Sequence, residues 1–66
     1  MQSPSAKQIR EAREKAGLTQ TQAAELIYKK LRAWQQWETE SGPSARKMDP
    51  AFWELFQIKL LGLHHD

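Results

Sequence analysis

The sequence predicts an all-α fold: a compact four-helix domain spanning residues 1–66, with helices at about 5–16, 20–27, 31–38 and 50–61. The second and third helices are arranged as helix, tight turn, helix. Three observations predict this. Gly17-Leu18-Thr19-Gln20-Thr21-Gln22 puts a helix stop directly before a capping box. Asp49-Pro50 marks another helix start. Apolar residues recur at helical spacing and do not alternate, as strand residues would.

Residues 1–4 read as a disordered lead. Helix 1 takes Ser5 as N-cap and lines up Ile9, Ala12 and Ala16 at i, i+3, i+7, with Gly17 as the stop. Helix 2 starts from Thr19, with Gln22 at the third helical position. Ala23, Ala24, Leu26 and Ile27 form its apolar face, and the two alanines let a neighbouring helix come close. The turn Tyr28-Lys29-Lys30 holds no Gly, Pro, Asn or Asp, so local propensity would let the helix run on through Leu31. The reason for a break is tertiary. One continuous helix would leave nothing to fold back on Ile9 and Ala16.

Helix 3 turns Trp34 and Trp37 toward a core and leaves Arg32, Gln35 and Gln36 on its other sides. The segment 39–45 is a loop by composition, closed by Arg46 and Lys47. Helix 4 ends at Gly62. Its stripe Phe52, Leu55, Phe56, Lys59 fits i, i+3, i+4, i+7, while Trp53, Leu60 and Leu61 lie off it. A helix apolar on more than one side needs a partner outside the monomer as well as inside. Phe52, Trp53, Phe56 and Leu60 are therefore the candidate dimer surface, and residues 63–66 form a tail.

A chain of 66 residues buries only about 60% of its unfolded surface. With no Cys there is no disulfide and no thiolate metal site. His64-His65 lacks the i, i+4 spacing that puts two imidazoles on one helix face. No metal or cofactor is expected, and self-association is the expected support. No apolar run approaches the ~20 residues of a membrane helix and no signal peptide is visible, so the expectation is a cytoplasmic protein without a membrane partner. No Ser nucleophile with a convergent His and no Gly-rich phosphate loop is present. An enzyme is not expected, nor a small-molecule ligand.

The net charge of +2 is unevenly spread. Residues 1–47 carry nine Lys and Arg against five acids, and residues 48–66 carry one Lys against three acids. A basic front and an acidic, aromatic rear suggest one face for a polyanion and one for packing. Arg, Lys and Gln on a helix set against a turn are the side chains that reach base edges in the major groove: Arg or Lys to guanine O6/N7, Gln to adenine N6/N7. On the helix after the turn, Arg32, Gln35 and Gln36 are of this kind. Candidate phosphate contacts are Lys29, Arg46 and Lys47.

From Ile9 to Glu38 the chain resembles the Cro/CI-type (XRE) helix-turn-helix family, with a lambda repressor-like fold. The resemblance is carried by Ile9, Arg13, Gly17-Leu18-Thr19-Gln20, Ala24 and Trp34-Gln35-Gln36-Trp37-Glu38. It implies sequence-specific binding of double-stranded DNA, with Lys30, Leu31, Arg32, Gln35 and Gln36 at the positions that reach bases and Gln20 on a backbone phosphate. It also implies a structural ion pair between Arg13 and Glu38. The chain departs from the family in having Tyr28 where the turn usually has Gly, Lys30 in place of a small hydroxyl cap, and a long loop after helix 3. More narrowly, Thr21-Gln22-Ala23-Ala24-Glu25-Leu26-Ile27, the helix 32–38 and Met48-Asp49-Pro50-Ala51-Phe52-Trp53-Glu54-Leu55-Phe56 look like anti-CRISPR-associated regulators, repressors carried by phages and mobile elements. That likeness implies a homodimer on an inverted-repeat (pseudo-palindromic) operator that represses its own operon. The alternative is a protein-interaction module of the same fold, such as an antitoxin or anti-repressor.

Overall fold

The computed structural model describes residues 2–63. It holds four helices and, among the described residues, no strand: α1 (Ala6–Lys15), α2 (Gln20–Leu26), α3 (Leu31–Trp37) and α4 (Pro50–Leu63). Two helices begin with the same device. Thr19 Oγ1 accepts from the Gln22 N–H at 3.1 Å, while Gln22 Oε1 accepts from the Thr19 N–H at 2.9 Å. Ser5 and Gln8 repeat this at the head of α1, at 3.1 and 2.8 Å. Each box satisfies two backbone donors that a helix start leaves open.

Two helices also end with the same device. After α1 the N–H of Gly17 bonds Glu14 O at 2.9 Å and that of Leu18 bonds Arg13 O at 3.1 Å. After α2 the N–H of Tyr28 bonds Glu25 O at 3.1 Å and that of Lys29 bonds Ala24 O at 2.8 Å. Both are Schellman motifs, which need a left-handed residue just past the C-cap. Gly17 fills that position at φ +74°, and Tyr28 fills it at φ +64°. The break between α2 and α3 is thus a regular helix ending occupied by an irregular residue.

α3 starts at Lys30, whose extended backbone offers no side-chain cap. At its far end Thr39 Oγ1 donates to Gln35 O at 2.7 Å and the Arg46 N–H returns to Gln36 O at 3.1 Å, so the long loop closes on the helix it leaves. Asp49 caps α4 through Oδ1, accepting from the Ala51 N–H at 2.8 Å, with Pro50 as first helical residue. α4 runs two residues past the expected end. Gly62 stays helical, because glycine permits a stop without imposing one.

The core is Ile9, Ala23, Ala24, Ile27, Trp34, Trp37, Met48 and Phe56. Trp34 sits at its centre, edge-on to Phe56 at 4.9 Å and to Trp37 at 5.7 Å between ring centroids. These geometries favour aromatic pairs beyond the area they bury. Two expectations are corrected. Phe56 is fully buried inside the monomer and is no part of a dimer surface. Pro4 is buried, so this end of the lead packs against the domain, while Gln2 and Ser3 are exposed. His64 and His65, and the rest of the tail beyond Leu63, lie outside the described residues.

Candidate nucleic-acid interface

Three helices meet at one carboxylate. Glu38 caps α3 and accepts from Arg13 of α1 twice, Nε to Oε2 at 2.6 Å and Nη2 to Oε1 at 3.1 Å. It also accepts from the Trp34 indole N–H and from Gln20 Nε2 of α2 at 3.2 Å. Arg13 Nη1 reaches Leu18 O at 3.0 Å in the α1–α2 turn. The pair's side chains are 14% and 6% exposed. Burial alone would raise the Glu38 carboxyl, but hydrogen bonds from Arg13, Trp34 and Gln20 outweigh it and hold the group below the usual carboxylate range. The hydrogen bond to Glu38 raises Arg13 in turn. This cluster locks α3 against α1 and α2, and the structure brings Arg13 and Glu38 together as its centre. Gln20 spends its amide nitrogen here, a role the sequence reading missed; that reading had it only as a phosphate contact.

The lock fixes what α3 presents. At about 100° per residue, Leu31, Gln35, Arg32 and Gln36 fall in one continuous arc, with Ala33, Trp37 and Trp34 filling the remainder. Trp34 and Trp37 are buried, whereas Arg32 and Gln35 are exposed, Gln36 is half-buried and Leu31 is 38% exposed. The arc carries no acid. Lys30 leads into it, exposed. Among the described residues Arg13–Glu38 is the only ion pair, so Lys30, Arg32 and Lys47 meet no acidic partner there.

The flanking cations differ. Lys47 is exposed. Arg46 donates through Nη1 to Pro43 O at 2.9 Å and Ala45 O at 2.8 Å, which ties its guanidinium to its own loop. Lys29 is half-buried, its Nζ 4.8 Å from the centre of the Phe52 ring. Of the remaining dimer candidates, Phe52 packs on Trp37 at 5.8 Å, and Trp53 and Leu60 are half-buried. The exposed large apolar residues of α4 are Ile58, Leu61 and Leu63. Ile58 and Leu61 lie off the stripe that the 3.6-residue period picks out, whereas Leu63 continues it.

Among the described residues no group of His, Asp and Glu is placed to hold a metal ion, and no helix is long and apolar enough to cross a membrane. No protein-family model matches the chain, and no curated protein is significantly similar to it.

Proposed function

We propose that this domain is a sequence-specific DNA-binding regulator that inserts α3 into the major groove of a double-stranded operator. The observation that carries the reading is the α3 arc: Arg32 and Gln35 exposed and Gln36 half-buried on one acid-free face, held at a fixed angle by the Arg13–Glu38 cluster. Direct readout needs such side chains on a rigid helix, because bidentate hydrogen bonds to base edges discriminate only when their origin is fixed. Lys30 and Leu31 complete the face, Leu31 as a contact for a thymine methyl. Lys47, with Lys29 and Arg46, supplies phosphate contacts, the larger share of protein–DNA hydrogen bonds.

The apolar outer side of α4 supports a homodimer. A two-fold pair of α3 helices would read a pseudo-palindromic operator with half-sites about 34–36 Å apart. The narrower resemblance makes that operator the promoter of the protein's own operon, carried by a phage or mobile element, and the outcome repression. The same α4 surface favours a second reading, in which the domain docks another protein. Selection from a random duplex library followed by gel shifts at several salt concentrations separates the two. Enrichment of an inverted repeat, bound with a steep salt dependence, supports the operator reading. No enrichment, with a shift equal for all sequences or absent, overturns it in favour of the interaction module.

A further inference from the structure

The turn that delivers α3 is gripped from α4 at two consecutive residues. Tyr28 holds φ +64°, in the left-handed region that disfavours side chains with a Cβ. The matching position after α1 is Gly17. Tyr28 is 77% exposed, so burial of its ring does not offset the strained backbone. Its contacts are with α4. Lys59 donates from Nζ to the phenol oxygen at 2.9 Å, and the same nitrogen lies 4.9 Å from the ring centroid. The next residue, Lys29, crosses in the opposite sense to the ring of Phe52, which itself packs on Trp37 of α3. A costly backbone conformation kept at an exposed side chain points to work done by that side chain.

We infer that Tyr28 and Lys59 are positioning residues that pin the α2–α3 turn to α4 and so set the direction in which Lys30, Arg32 and Gln35 leave α3. The inference rests on the DNA-reading function proposed above. Hydrogen bonds to base edges tolerate only a few tenths of an ångström, whereas attraction to phosphates is long-ranged and indifferent to sequence. A loosened turn therefore loses discrimination before it loses affinity for DNA in general.

Glycine at position 28 separates grip from backbone. It relieves the left-handed strain and removes the ring. The measurement is the ratio of affinities for a duplex selected by the wild-type protein and a scrambled duplex of equal length, by fluorescence anisotropy. Tyr28→Gly is expected to hold or raise the melting temperature while lowering the ratio about three- to fivefold, the scale of an exposed cation–π contact. Lys59→Met is expected to match that loss with an unchanged salt slope. The double variant should add nothing, and Lys59→Arg should restore the ratio. Wild-type ratios in both Tyr28→Gly and Lys59→Met would overturn the proposal. So would a Lys59→Met variant that weakens both duplexes alike with a reduced salt slope, since Lys59 would then be a phosphate contact. A wild-type protein that selects no duplex overturns the DNA reading and this inference with it.

Discussion

Arg13 and Glu38, twenty-five positions apart, meet side-on in a two-point ion pair that also collects Trp34 and Gln20. Glu38→Ala removes the acceptor of all three donors at once. The Arg13 guanidinium and the buried Trp34 N–H are then left without a partner, at a cost of about 3 kcal/mol. A domain of this size has only about 3–5 kcal/mol to lose. The variant should keep at most about 2 kcal/mol and melt far below the wild type by circular dichroism. Glu38→Gln keeps one acceptor oxygen and should fall between it and the wild type. A Glu38→Ala protein that melts with the wild type would show that the cluster does not hold the helices together.

The same carboxylate makes the fold acid-sensitive, and the sign follows from its depressed pKa. The unfolded chain takes up the proton more readily, near the ordinary glutamate value of about 4.3. The stabilisation is therefore fully present above that pH and is lost as pH falls through the lower folded value. Melting temperature should be level from about pH 6 to 5 and decline below about pH 4.3. In Glu38→Gln this decline should be markedly shallower. An equal decline in both proteins would place the acid sensitivity elsewhere.

Helix starts were the most legible part of the chain, because capping chemistry is local: Thr19 with Gln22 and Asp49 with Pro50 need no tertiary partner to be read. Ser5 with Gln8 carries the same signature. The α2–α3 turn was not legible from local chemistry. It depends on a left-handed tyrosine whose support comes from Lys59, thirty-one positions away. Met48 was missed as a core residue because one apolar side chain in a polar loop has no period to betray it. The burial of Phe56 was hidden for a related reason. Periodicity identifies an apolar stripe but does not say which side of α4 faces Trp34. The exposed arc of α3 was legible because the two buried tryptophans fix its complement.

Lys30 occupies the N-cap of α3 without making a cap bond. Lys30→Ser supplies the missing acceptor and should stabilise the isolated domain by about 1 kcal/mol, raising its melting temperature by about 4–8 °C. On the proposed function it should also weaken operator binding, because a cation is lost at the entrance to the recognition face. Stability and affinity would then move in opposite directions, as expected where a position is kept for function. A cap that leaves the melting temperature unchanged would mean that Lys30 does not limit α3.

Arg32 and Lys47 are both exposed and unpaired by acids among the described residues, yet their losses should differ in kind. Arg32 lies in the α3 arc, so Arg32→Ala should cost about 1–3 kcal/mol on the selected operator and relax one base position when the selection is repeated. Its effect on a scrambled duplex should be small. Lys47 lies in the loop before α4, away from that arc. Lys47→Ala should weaken every duplex by a similar factor and reduce the slope of log K against log salt by about 1. The decisive measurement is the pair of titrations on both duplexes. If Arg32→Ala weakens them equally, Arg32 is a phosphate contact and readout passes to Gln35 and Gln36. If Lys47→Ala alters the selected sequence, the loop takes part in specificity and α3 does not read alone.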